Sequence, residues 1–130
     1  MHEDKRLAPR MELRTHATLT LTRAKPVAVQ TVDVAPGGLC ISISHELAVG
    51  KSCRVNFDIS MNRKKYKVAA SAIVIYSILR ESGDFKVGLQ FVEVNPAGAE
   101  AIEEYLILNA ADIPPAMQHK FGPVLVSSRK

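Results

Sequence analysis

Val27-Ala28-Val29-Gln30-Thr31-Val32-Asp33-Val34-Ala35-Pro36-Gly37-Gly38-Leu39-Cys40-Ile41-Ser42-Ile43-Ser44 is the run that decides the fold. Its first half, Val27 to Val34, is rich in β-branched residues, which suit the pleated, half-buried surface of a sheet. Pro36-Gly37-Gly38 then forces a turn, since proline presets one backbone angle and glycine tolerates the others. Beyond it Leu39, Ile41 and Ile43 alternate with Cys40, Ser42 and Ser44, the period of two that turns one face to a core. An isolated pair of strands is marginal in water, so the hairpin needs further strands against it.

The flanking sequence supplies them. Upstream, Leu13, Ala17, Leu19 and Leu21 fall on one face and Arg14, His16, Thr18 and Thr20 on the other, before Arg23-Ala24-Lys25-Pro26 turns the chain. Downstream, His45 to Lys51 is a loop closed by Gly50. Cys53, Val55, Phe57 and Ile59 then alternate with Arg54, Asn56 and Asp58. A basic turn, Met61 to Lys65, leads to a long apolar strand, Tyr66 to Ile78. After Glu81-Ser82-Gly83-Asp84, Phe85, Val87, Leu89 and Phe91 form one face of a sixth strand. Short strands at regular spacing predict a sandwich or a barrel, and closure would remove the exposed sheet edges. Asn95-Pro96 predicts a helix start, with Asn95 as the cap. Glu100, Glu103 and Glu104 lie in its N-terminal half, and Ile102, Tyr105, Leu106 and Asn109 lie near one face. Pro114-Pro115 ends it. The expected organisation is a basic arm over residues 1 to 12, a body over 13 to 109, and a tail over 110 to 130 with a short added strand at Val124-Leu125-Val126.

With 130 residues, 47% hydrophobic and 23% charged, the chain suits one globular domain. No apolar run approaches the roughly 20 residues that span a bilayer. The start, Met1-His2-Glu3-Asp4, has no apolar signal core, so a cytoplasmic protein without membrane insertion is expected. A net charge of +4 favours anionic partners without choosing among them. Cys40 and Cys53 sit in separate strands with no CxxC spacing and read as two reduced thiols. His2, His16, His45 and His119 are scattered, so no metal site is expected. No nucleophile elbow, paired carboxylates or phosphate-cradling loop argues for an enzyme.

Two stretches carry chemistry. The first is Lys5-Arg6-Leu7-Ala8-Pro9-Arg10, where Arg6 and Arg10 point the same way if the arm is extended. Arginine's planar fork matches the O6 and N7 edge of guanine, pairs with phosphate oxygens and stacks on purines. The second is Asp33 to Gly38. Asp33 is an acceptor-only carboxylate, suited to the N–H donors of a guanine edge, and Gly38 lets backbone approach closely. On these residues alone the plainer readings stand beside the functional ones. The arginines fit a solvated arm, Asp33 fits a turn cap, and Arg10 with Arg14 makes a second register. Arg63-Lys64-Lys65 reads as a solvated turn or as a contact for a membrane or a partner's acidic face.

Together the two stretches resemble the PilZ family, whose signature is RxxxR followed by D/NxSxxG. Arg6 and Arg10 fill the first motif, Asp33 and Gly38 the second, and Ala35 stands where the family usually has serine. Phe85-Lys86-Val87-Gly88-Leu89-Gln90-Phe91 resembles that family's last strand. The resemblance implies a mainly β fold, a six-stranded antiparallel β-barrel with a C-terminal α-helix. It implies cyclic di-GMP as ligand, no cofactor, and a site comprising Lys5, Arg6, Arg10, Asp33, Ala35, Gly38 and Gly88. A basic residue just before RxxxR, here Lys5, goes in this family with a stacked pair of dinucleotides. The expected function is a receptor or adaptor that orders its arm on the ligand and signals to an unidentified effector protein, as a monomer or weak dimer. The alternative is a PilZ-like adaptor that does not bind the nucleotide and acts in type IV pilus assembly. A small RNA-binding barrel is the third reading, ahead only of an enzyme; it is disfavoured because aromatics are only 5% and mostly on core faces, so no nucleic acid partner is expected.

Overall fold

The alternating stretches become strands of a single sheet in the computed structural model, which describes residues 10 to 109 and the strand Leu125–Val126. In chain order the elements are β1 (Met11–Glu12), β2 (His16–Leu21), β3 (Val27–Ala35), β4 (Gly38–Ile43), β5 (Ser52–Met61), β6 (Lys64–Leu79), β7 (Phe85–Val94), α1 (Pro96–Asn109) and β8 (Leu125–Val126). The antiparallel order β3-β2-β5-β6-β7-β4 returns on itself, because β4 also pairs with β3. The result is a closed six-stranded barrel with a C-terminal helix. β8 adds in parallel to β7 at Glu93 and Val94, where the sequence places a short added strand.

The barrel interior is filled by the apolar phase of each strand, among them Leu19, Val34, Ile41, Val55, Ile59, Val74, Val87 and Leu89, all nearly inaccessible to solvent. Helix α1 buries Gly98, Ala101, Ile102 and Leu106 on it, and Tyr105 packs partly against the same core. A Cβ at Gly98 would lie 3.0 Å from the Val68 backbone, which explains a residue of poor helix propensity there. The Tyr105 hydroxyl donates to the Glu12 carbonyl at 2.6 Å, tying the helix to the strand that follows Arg10.

Two expectations change in detail. The strand read from Leu13 instead begins at His16, and residues 11 and 12 of the expected arm already form β1 on the sheet against β3, which leaves Leu13 to Thr15 as a gap. The gap is held by Thr31, a fully buried polar residue. Its hydroxyl accepts from the Thr15 amide at 2.9 Å and donates to the Leu13 carbonyl, while its own amide donates to the Thr15 carbonyl at 2.9 Å. Asn95 does not cap the helix with its side chain. Its Oδ1 accepts from the Ala69 amide at 2.8 Å and its Nδ2 donates to the Lys67 carbonyl at 3.2 Å, so the amide extends the β6 ladder by one rung.

Thr31→Val keeps the shape but strips the half-buried Thr15 amide and the buried Leu13 carbonyl of their hydroxyl partner. We expect a loss of about 1–3 kcal/mol in urea unfolding; an unchanged midpoint would remove Thr31 from this role. Burial pushes the Cys53 thiol from its ordinary 9.0 up to about 11. The unfolded thiol therefore ionises first, and stability falls as pH rises through the window from 9.0 to about 11. In Cys53→Val that part of the alkaline loss should be missing when urea midpoints are compared across the window.

Candidate ligand-binding site

Two bulges turn side chains from the barrel interior to its outer wall. In the β3–β4 ladder Thr31 faces Ile41 but Asp33 faces Cys40, leaving Val32 as the extra residue. In the β6–β7 ladder Val74 faces Leu89 but Tyr76 faces Gly88, leaving Ile75 as the extra residue. Without the second bulge Tyr76 would continue the inward phase of Val68, Ala70, Ala72 and Val74. With it, Tyr76 joins Asp33, Ala35, Gly38, Cys40, Gly88 and Gln90 around one open cavity of about 700 Å³, and Arg10 completes the wall.

The turn that carries the second motif is anchored from below. Pro36 and Gly37 make a two-residue connection between Ala35 and Gly38. Proline's fixed negative φ rules out the primed turns of most tight hairpins. The Gly37 carbonyl accepts from the Phe91 amide at 2.8 Å, which clamps the turn to β7. A Cβ at Gly38 would stand 2.4 Å from the Leu89 carbonyl oxygen, a backbone atom that has nowhere to go. A Cβ at Gly88 would stand 2.3 Å from the Tyr76 ring, so the missing side chain is the space in which that ring lies. Both glycines thus shape the cavity through their own strands.

Arg10 donates to Asp33 at 3.0 Å, with side-chain exposures of 47% and 23%. Burial works against the guanidinium's charge, but Asp33 and then Tyr76 outweigh it and raise the Arg10 pKa above its ordinary value. The Tyr76 hydroxyl donates to the Cys40 sulfur at 3.7 Å, and burial, reinforced by that thiol, raises the tyrosine's pKa. Burial likewise raises the Cys40 pKa, so the thiol stays neutral and inert at neutral pH. Ala35 and Cys40 are buried, yet they stand apart from the apolar core and form the cavity floor. The arrangement offers one cation, one carboxylate, an aromatic ring and a small-residue floor, which suits a ligand with both anionic and planar hydrogen-bonding parts.

Residues 4 to 108 match the model of the PilZ domain. The chain belongs to the PilZ family. Similar solved structures include the Bacillus subtilis inhibitor of motility MotI/DgrA, with a TM-score of 0.74 and 13% identity over 86% of this chain and 53% of that one. The K. pneumonia MrkH–c-di-GMP complex gives 0.57 and 14% over 86% and 55%, and the PilZ domain with c-di-GMP of Escherichia coli YcgR gives 0.51 and 11% over 81% and 91%. At such identities the likeness is one of fold, and this chain spans about half the length of MotI/DgrA, 53%. No curated protein matches the sequence.

Of the PilZ positions named from sequence, Arg10, Asp33, Ala35, Gly38 and Gly88 meet at the one cavity. Lys5 and Arg6 lie outside the described residues. Arg14, the rival register, pairs instead with Glu12 on the exposed surface and does not line the cavity. Tyr76, Cys40 and Gln90 went unread as site residues. The signal for Tyr76 was present in Gly88, the one residue of Phe85 to Phe91 without a side chain, but pairing the two needs the ladder register.

Gly38→Ala should cost more stability than Gly88→Ala, about 1–3 kcal/mol or more, because its new Cβ meets backbone rather than a ring that can swing away. Equal urea midpoints for the two variants would contradict this.

Proposed function

We propose that this PilZ protein is a receptor for cyclic di-GMP that passes the signal to an effector protein. The observation that carries the proposal is the meeting of Arg10, Asp33, Ala35, Gly38 and Gly88, distant in sequence, around one cavity. Its volume, about 700 Å³, falls in the range of small-ligand sites. The bound structures of YcgR and MrkH support the same ligand class. The residues fit it. Arg10 would serve a guanine edge or a phosphate, Asp33 would accept from guanine N1–H and N2–H₂, and Lys5 and Arg6 would add charge from the arm. Tyr76 supplies a ring beside them. The receptor reading is of a cytoplasmic binding protein without catalysis. Among the described residues no helix is long and apolar enough to cross a membrane.

Signalling in this proposal comes from the arm ordering on the ligand. Arg10 is already held by Asp33, and Met11 and Glu12 by β3, so the ordering concerns residues before Arg10. Backbone order parameters for residues 3 to 9 should rise on binding; equal values in both states would remove this mechanism. Ala35 favours the second reading, an adaptor that does not bind the nucleotide. A lost neutral hydrogen bond is worth about 0.5–1.5 kcal/mol, however, which weakens binding about tenfold without abolishing it.

Isothermal titration with cyclic di-GMP decides between the two. Arg10→Ala and Asp33→Ala should each weaken binding about ten- to a hundredfold, the worth of a charge-assisted contact of about 1.5–3 kcal/mol. Ala35→Ser should tighten it by up to about tenfold. Lys5 leads us to expect two molecules per chain, the second weaker and more salt-sensitive because like charges must be screened. Absence of heat at any concentration favours the adaptor, and parent-like binding by both alanine variants would displace the site.

A further inference from the structure

On the opposite wall from the cavity, four small residues stand directly across from one another. Thr18 faces Ala28 on one side and Asn56 on the other, and Asn56 faces Ala69. They floor a straight furrow across β3, β2, β5 and β6, an open space of about 470 Å³ that ends at Asn95. With strands about 4.8 Å apart, it is roughly 14 Å long, the reach of about four extended residues.

We propose that this furrow takes an extended acidic segment of the effector protein, a reading that rests on the receptor function above and names its output surface. Lys67 lines the furrow, Arg54 is exposed two residues from Asn56 on the same face of β5, and Lys65 is exposed two residues before Lys67 on β6; Asp58, which also lines the furrow, is the one carboxylate those two strands contribute. It lies 4.0 Å from Lys67 and leaves the other cations unmatched among the described residues. Along the furrow β2 is paired with β3 and β5, and β5 with β2 and β6, so no strand can be added between them and recognition there falls to side chains. The Thr18 hydroxyl and Asn56 amide, exposed and without a protein partner among the described residues, are placed to bond a crossing main chain. The same surface disfavours the other anionic partners. Phe57 and Val68 are buried in the core, so apart from the single imidazole of His16 the furrow offers no aromatic ring for bases to stack on, and it offers no large apolar side chain for a bilayer to receive. Since β3 and β6 carry both the cavity and the furrow, a ligand on one wall leaves the other open while sharing two strands with it.

Backbone amide shifts of the full chain, followed during titration with a hexaglutamate peptide, test the proposal. The expected result is perturbation confined to residues around Thr18, Ala28, Asn56 and Ala69. Binding should weaken about fivefold or more in Lys67→Glu, the scale of an exposed ion pair turned to repulsion, and in Ala28→Leu, which fills the floor. Lys51→Glu, a charge-matched change on a distant loop, should bind like the parent. Perturbation spread over every basic surface, equal loss in Lys51→Glu, or no perturbation at millimolar peptide overturns the proposal. So does tighter binding of phosphatidylglycerol vesicles or oligouridylate through the same residues. Cyclic di-GMP titrations of Lys67→Glu and Ala28→Leu should match the parent. A parent that binds the peptide but not the nucleotide would sink the receptor reading and leave the furrow standing.

Discussion

Among the described glycines, the closest approach to another strand's backbone is that of Gly38 to the carbonyl of Leu89. β4 is the strand that closes the barrel, paired with β3 on one edge and β7 on the other. At Gly38 the approach is so tight that a Cβ would lie 2.4 Å from a backbone oxygen. Any other residue would lever β4 off β7 where the sheet meets itself. Closure in turn puts Asp33, Cys40 and Gly88 on three adjacent strands, and the cavity exists because those strands are neighbours. The glycine that the family signature associates with the ligand is thus required by the fold, whatever it does for the ligand.

Barrel interior and outer wall impose opposite demands on the same strands, and the bulges reconcile them. A strand that alternates strictly keeps its polar residues at fixed positions on the outer face. The extra residues Val32 and Ile75 shift the phase once on each of two strands, just where the cavity lies. Below each bulge the inward residues continue the core; above it Asp33 and Tyr76 face out. The cost is an irregular ladder, and on the β3 side Thr31 meets that cost by bonding the broken strand opposite with its side chain.

This explains what the sequence made legible. The strands, the turns and the helix were readable because hydrophobic phase and turn residues act locally. That Arg10 and Asp33 come together was readable only through the combined motif, since neither half has a local reason to meet the other, and their direct ion pair was not foreseen. Tyr76 was not readable, because a bulge leaves no mark in an apolar run such as Tyr66 to Ile78, and the ring looks like a core residue. Asn95 was misread for a related reason. A residue that precedes proline at a helix start has the composition of a cap, but its amide found nearer partners in the Lys67 and Ala69 backbone. The local rule named the boundary correctly and the wrong bond.

Arg10 joins these threads. An exposed ion pair contributes about 0–1 kcal/mol, too little to fix a flexible chain by itself. Here the pair is one of several restraints on the same few residues. Met11 and Glu12 pair with β3, Met11 packs against the core, and Tyr105 of the helix bonds the Glu12 carbonyl. The fold thus fixes the root of the arm without spending Arg10's remaining donors, and the Arg10 side chain is still nearly half exposed, at 47%. A side chain held at its base and open at its tip loses little further freedom on meeting a ligand, so more of the contact energy appears as affinity. The helix, far from the cavity in sequence, thus helps to hold the cavity's one described arginine in place.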